Sequence, residues 1–154
     1  MKNEEILRPL RGNEAARVSA LAQRSKAHWG YPPAQMAVFR GELTLSAEAL
    51  TRQPAFGIER DGAIVGFYTL VGHDSEEAEI EHLFVDPPNI GAGLGRRLLR
   101  HALEEAQRLG YQRVLVQTDP NAEGFDLACA GRTIRRIPSS IPGQATPLIQ
   151  FDLG

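Results

Sequence analysis

The hydropathic period changes within a few residues between Glu79 and Gly95, and that switch constrains the fold more than any other feature of the chain. Glu79 to Val85 reads as a strand, and Asp86-Pro87-Pro88-Asn89 ends it. From Gly91 to Leu109 the period is helical: Leu94, Leu98, Ala102 and Ala106 form one stripe that Leu99 and Leu103 widen, and Gly110 closes the helix. At the junction lies Ile90-Gly91-Ala92-Gly93-Leu94-Gly95-Arg96. Alternating glycines let a backbone turn tightly and approach a ligand closely. The first turn of a helix carries unpaired N–H groups and partial positive charge. A pyrophosphate satisfies both, and Arg96, Arg97 and Arg100 add charge at the same end. The plainer reading of the glycines is a turn before a helix. Three of them between a strand and a helix favour phosphate binding.

Two familiar phosphate motifs fit poorly. A P-loop ends in Gly-Lys-Ser/Thr, whereas Gly95 precedes Arg96-Arg97. A dinucleotide fingerprint needs Gly-x-Gly-x-x-Gly, and here the last spacing is one residue short. Asp119 stands roughly where a ribose-binding acid would, but the preceding strands read as an antiparallel meander rather than a βαβ unit.

That meander comprises strands at Ala55–Arg60, Ala63–Val71 and Glu79–Val85, with Asp61-Gly62 as a hairpin turn and His73-Asp74-Ser75-Glu76 as a second. Ahead of it come a short strand over 5–10 and a helix capped by Asn13, with Ala16, Val18, Ala20, Leu21 and Ala22 apolar. A second helical stretch follows at 34–41, and a short one at 44–50. Beyond Gly110, Arg113 to Thr118 reads as a strand parallel to its predecessor, Asn121 to Ala130 as a short helix, and Thr133–Ile137 and Leu148–Leu153 as closing strands around a loop over 138–147. The order β-α-α-β-β-β-α-β-α-β-β predicts an α+β fold: a mostly antiparallel mixed sheet of about six or seven strands, flanked by helices.

The 154 residues suit one domain over 1–154. A formal net charge of −2 with no basic block argues against nucleic acid as a partner. The single cysteine, Cys129, reads as a small buried filler, and no metal is expected. The first residues lack a signal-like apolar run, and no stretch approaches ~20 apolar residues. The expectation is a cytoplasmic chain without a membrane partner.

His82-Leu83-Phe84-Val85-Asp86-Pro87 followed by Ile90 to Arg96 resembles the central Gln/Arg-x-x-Gly-x-Gly/Ala motif of the GNAT superfamily of N-acetyltransferases. Asn121-Ala122-Glu123-Gly124-Phe125, then Gly131, resembles its later motif. The resemblance implies acetyl-CoA as co-substrate, lying between splayed strands 79–85 and 113–118. Backbone groups of Leu83, Phe84 and Val85 would pair with the pantetheine. Amides from Ile90, Gly91, Ala92, Gly93, Leu94, Gly95 and Arg96 would hold the pyrophosphate, and Asn121 and Phe125 would line the far side. The implied reaction is direct transfer of acetyl to a primary amine, on a small molecule or a peptide. Homodimers are common in the family.

Such transfer requires a base, because an ammonium has no lone pair. Glu79 and Glu81 project from one face of their strand, opposite His82, and fall where related enzymes place it. Glu81 is slightly favoured. The other reading makes both of them solvated surface residues. Trp29 and Tyr31 would box the acceptor amine, or simply pack where a helix ends. His28 reads as a surface residue. Two positions depart from the family pattern. Ile90 replaces Gln or Arg. Asp126 replaces a tyrosine that would protonate departing CoA, and an aspartate is ordinarily ionised at neutral pH. Water, Tyr68 or Tyr111 would then substitute. Asp126 also raises a second possibility, a weak or inactive acyl-CoA-binding module.

Overall fold

The computed structural model describes residues 5–139 and 141–154. The expectations that touched residues 1–4 and Ser140 lie outside them. Seven strands hydrogen-bond in the order β1-β2-β3-β4-β5-β7-β6. They are β1 Glu5–Pro9, β2 Ala55–Arg60, β3 Ala63–Gly72, β4 Glu77–Val85, β5 Arg113–Gln117, β6 Arg132–Pro138 and β7 Ala145–Asp152. The helices are α1 Ala15–Ala27, α2 Pro33–Glu42, α3 Ala47–Arg52, α4 Leu94–Arg108 and α5 Glu123–Ala128. The mixed, mostly antiparallel sheet flanked by helices is the architecture the element order predicted.

The chain divides into two compact units, and β3, β4 and α4 each contribute to both. The first is built from residues up to Thr69 together with His82–Leu99. Its core gathers Val18, Leu21, Ala22, Phe39, Ile58, Phe67, Tyr68 and Leu98, all buried. In α1 the buried positions Val18, Leu21, Ala22 and Ser25 follow the helical repeat. Ser19 Oγ donates to the Ala15 carbonyl at 2.7 Å and accepts from Leu45 N–H at 2.8 Å, tying α1 to the segment before α3. Glu14 lies beneath Arg8, whose two terminal nitrogens donate to its two oxygens at 2.9 and 2.8 Å.

The second unit comprises Leu70–Glu81 and Arg100–Gly154. Its core is Leu70, Ala78, Ile80, Ala102, Ala106, Val114, Ile149 and Phe151. The β4–β5 ladder is parallel and four residues long, Glu77–Ile80 against Arg113–Val116. On α5, Glu123 accepts from Thr133 Oγ1 at 2.6 Å and from Arg136 at 3.1 Å, which fastens the helix to β6. A Cβ on Gly131 would meet Ile149 Cγ2 at 2.6 Å, so only glycine lets the chain pass there.

Several boundaries differ from expectation. Asn13 caps nothing: it lies in a 3₁₀ turn, Gly12–Glu14, and Glu14 reaches back to Arg11 N–H at 2.8 Å in its place. The third helix starts at Ala47, where Ser46 accepts from Ala49 N–H. The long helix starts at Leu94, not Gly91, because Gly91 and Gly93 hold positive φ. The stretch after Asp119 is a 3₁₀ turn, Pro120–Ala122, followed by a short helix. Cys129 is only half-buried.

Candidate functional site

The glycine turn belongs wholly to the first unit. Asp86 N–H donates to Val65 O at 2.9 Å, and Pro87–Asn89 makes a 3₁₀ turn. The chain then passes Gly91 at φ +91° and Gly93 at φ +84° before α4 begins. Left-handed backbone of this kind costs an L-residue roughly 1–2 kcal/mol, so glycine is strongly favoured at both positions. Ala92 N–H is used by Asn89 O at 3.3 Å, and Arg97 N–H makes the first helical bond, to Gly93 O at 3.1 Å. The N–H groups of Gly91, Gly93, Leu94, Gly95 and Arg96 have no acceptor among the described residues. Leu94 turns its side chain into the core at 3% exposure, which anchors the turn. Ile90 is 43% exposed and contributes no polar atom from its side chain. Arg96 and Arg100 are exposed cations with no ion-pair partner among the described residues. Five open donors at a helix N-terminus, with the Arg96 guanidinium beside them in the first unit, have the chemistry that suits an anion.

Upstream of the turn, Leu83, Phe84 and Val85 are half-buried. His82 lies on the face of β4 opposite Glu79 and Glu81, as expected. Its Nδ1 lies 2.8 Å from Thr69 Oγ1, and its Nε2 lies 3.3 Å from the Glu42 carbonyl. Only a proton on Nε2 lets the ring donate to that carbonyl, so Nδ1 accepts from the hydroxyl.

In the second unit, Glu81 is exposed, and Glu79 lies against His73 at 2.6 Å with Gln117 Nε2 at 3.5 Å. Asn121 gives its side-chain amide to Asp119 Oδ1 at 2.8 Å, and Phe125 is 36% exposed.

Asp126 departs from expectation. Its neighbours Phe125 and Leu127 face solvent, whereas Asp126 is 4% exposed, and its Oδ2 has no hydrogen-bond partner. Burial raises its carboxyl to about 6, against a hydrogen bond from Thr118 that lowers it. Burial thus moves Asp126 toward neutrality, though it stays mostly ionised at pH 7. Tyr68 is fully buried and stacks on Phe56 at 5.6 Å, so it is no stand-in proton donor. The Tyr111 hydroxyl packs over Gly72, in the space a Cβ there would need.

The aromatic pair of the first unit also separates. Trp29 is 42% exposed and edge-on to His28, which is itself exposed as expected. Tyr31 packs edge-to-face on Phe39 at 5.1 Å, and the Lys26 ammonium sits 4.4 Å from the Phe39 ring and 5.3 Å from the Tyr31 ring. The chain's own amine thus occupies part of the aromatic corner.

Among the described residues no cluster of His, Cys, Asp and Glu could hold a metal ion, and no helix is long and apolar enough to cross a membrane.

A model of the acetyltransferase (GNAT) family matches residues 18–125. No curated protein sequence matches at a significant level. Among solved structures, a GCN5-related N-acetyltransferase (aminotransferase, class II) from Rhodopseudomonas palustris is similar at TM-score 0.80, with 22% identity over 99% of each chain. PaiA N-acetyltransferase from Thermoplasma acidophilum, in complex with coenzyme A, is similar at TM-score 0.74, with 14% identity over 97% of this chain and 99% of that one. YncA from Salmonella typhimurium, with its cofactor acetyl-CoA, is similar at TM-score 0.69, with 20% identity over 98% of this chain and 95% of that one. At these identities the likeness is one of fold.

Proposed function

We propose, given that this chain belongs to the acetyltransferase (GNAT) family, that it transfers an acetyl group from acetyl-CoA to a primary amine by direct attack. The observation that carries the proposal is the run of open amides at Gly91 and Gly93–Arg96, which suits a diphosphate. Coenzyme A supplies one, and two of the similar folds are known with coenzyme A or acetyl-CoA bound. The family match runs through both units, which supports treating residues 1–154 as one acyltransferase domain.

In this reading the open amides of Gly91 and of Gly93 to Arg96 hold the pyrophosphate, and Arg96 adds charge; the Ile90 and Ala92 amides are already spent on Pro87 and Asn89 within the turn. The loss of a Gln or Arg side chain at Ile90 removes one contact and leaves the backbone donors intact. Leu83, Phe84 and Val85 lie on β4 beyond the end of its ladder with β5, and offer backbone groups to the pantetheine amides. A backbone N–H there meets the oxyanion of the tetrahedral intermediate. Family resemblance gives Asn121 and Phe125 a part in holding the cofactor and Trp29 and Tyr31 a part in meeting the acceptor. Deprotonation of the ammonium falls to the acidic stretch of β4, Glu79 and Glu81, directly or through an intermediary. The thiolate leaves without an acid: a thiol of ordinary pKa ~8.5 is a tolerable leaving group, and Asp126 is buried.

Calorimetric titration with coenzyme A, run beside acetyl-CoA turnover against a panel of small amines and amine-bearing peptides, tests the proposal. Micromolar binding with turnover of at least one amine supports it, and Gly93→Ala should then weaken binding roughly five- to thirtyfold, the equivalent of about 1–2 kcal/mol of strain. Binding without turnover of any amine replaces the enzyme with an acyl-CoA-binding module. Folded protein that ignores coenzyme A at millimolar concentration defeats both readings.

A further inference from the structure

The turn between β3 and β4 builds a second chemical feature within the second unit. Asp74 Oδ1 accepts from the N–H groups of Glu76 and Glu77, both at 2.8 Å, and His73 N–H donates to Glu77 O at 2.9 Å. These bonds fix the turn and bring the His73 ring back over β4. There Nε2 meets Glu79 Oε1 at 2.6 Å. From β5, Gln117 Nε2 lies 3.5 Å from Glu79 Oε2. Register explains the meeting: Glu79 pairs with Leu115, so Gln117, two residues on, shares its face.

The pair has a defined polarity. A carboxylate only accepts, so the proton between the two groups sits on Nε2. In the neutral ring Nδ1 is then a bare lone pair. It has no partner among the described residues, and the His73 side chain is 44% exposed. Glu79, by contrast, is 17% exposed and has both oxygens engaged. The residue with the free, accessible basic atom is the histidine.

We infer that His73 is the base that takes the acceptor's proton, and that Glu79 is a positioning residue that sets its tautomer and steadies the imidazolium. The inference rests on the acetyltransferase reading and names the group that reading left open. The acceptor R–NH₃⁺ gives one proton to Nδ1, which frees the nitrogen lone pair. That pair forms the N–C bond to the thioester carbonyl carbon. The C–S bond then breaks, and its electrons leave on sulfur. The adduct nitrogen loses its second proton, which the thiolate takes, and the imidazolium returns its proton to water. A carboxylate is a weak base at neutral pH, whereas an imidazole changes charge close to it, so the relay suits the task better than Glu79 alone.

The test uses the whole chain. His73→Gln and His73→Ala are expected to lower kcat/KM about 10²- to 10⁴-fold, the usual span of general-base catalysis, with coenzyme A affinity unchanged. Added imidazole should restore part of the His73→Ala loss. Glu79→Gln should keep more activity and let the neutral ring's proton spread between Nε2 and Nδ1, which a purely structural carboxylate would not do. Nitrogen NMR of the ring should find the neutral proton on Nε2. Full turnover by His73→Gln, or a proton on Nδ1, overturns the base assignment and leaves acetyl transfer standing. Wild-type protein that binds coenzyme A and acetylates no amine overturns the transferase reading and this assignment with it.

Discussion

Arg60 Nη1 donates a hydrogen bond to Asn89 Oδ1 at 2.6 Å. Asn89 closes the 3₁₀ turn that leads into Gly91. The same guanidinium is ion-paired with Glu5 on β1, and Glu5 Oε1 accepts from Arg97 in the first turn of α4 at 3.2 Å. Both flanks of the glycine turn are therefore tied to the edge of the sheet through one network. Arg60→Ala should loosen the turn before it touches any ligand. Its coenzyme A dissociation constant is expected to rise about tenfold, or about 1.4 kcal/mol. Titration calorimetry reads this directly, and an unchanged constant would show that the glycine turn holds its shape unaided.

Asp126 makes a pH-dependent prediction. Its native value of about 6 lies above the ordinary 3.8, so the folded state binds this proton more tightly than the unfolded chain does. The stability it contributes is whole below about pH 4 and is lost as pH rises through about 6. Two units correspond to about 3 kcal/mol. Asp126→Asn cannot ionise, so it should be more stable than wild type at pH 8 by roughly 1–3 kcal/mol, with the difference gone at pH 4. Urea melts at the two pH values check it. Equal curves at pH 8 would mean that the carboxylate finds solvation when charged.

Glu14 has the opposite sign. Hydrogen bonds from Arg8, opposed by burial and helped by Arg11 N–H, lower its carboxyl from 4.5 to about 2. Its contribution is present above about pH 4.5 and is lost as pH falls through about 2. Glu14→Gln leaves Arg8 paired with Glu59 alone, at 2.7 Å, and should cost about 2 kcal/mol at pH 7. That cost should shrink toward nothing near pH 2. A thermal melt series across this range decides the matter.

Ala130 holds φ at +74°, immediately after α5, where Gly131 N–H reaches back to the Asp126 carbonyl at 3.0 Å. This is the left-handed helix exit that glycine usually serves. Ala130→Gly should therefore stabilise the protein by about 0.5–1 kcal/mol, the strain relieved outweighing the added chain entropy. A lower melting temperature would contradict it.

What the sequence disclosed follows from where each interaction lies along the chain. The α4 stripe was legible because Leu94, Leu98, Ala102 and Ala106 repeat locally, and all four are buried. The meander was legible because Asp61-Gly62 is a turn on its own. The glycine turn was legible as a ligand site because its chemistry is backbone chemistry, carried by consecutive residues. Contacts between distant side chains left no such trace. Nothing near Arg60 announces Asn89, 29 residues on. His73 read only as part of a turn, since its tie to Glu79 depends on how far the β3–β4 hairpin folds back. Asp126 was misread for a different reason. A motif position was taken as ligand-facing, whereas the phase of α5 turns it inward and leaves Phe125 and Leu127 outside.

The position of β7 has a consequence for how the chain is assembled. β7 pairs with β5 on one side and β6 on the other. As the polypeptide leaves the ribosome, β6 emerges before β7, its sole strand partner among the described residues. Until then its backbone is hydrogen-bonded to water alone. Arg132, Arg135 and Arg136 make it a strand that can wait, since charge discourages pairing with another chain. The second unit can seat β6 only after residues 145–152 have been synthesised.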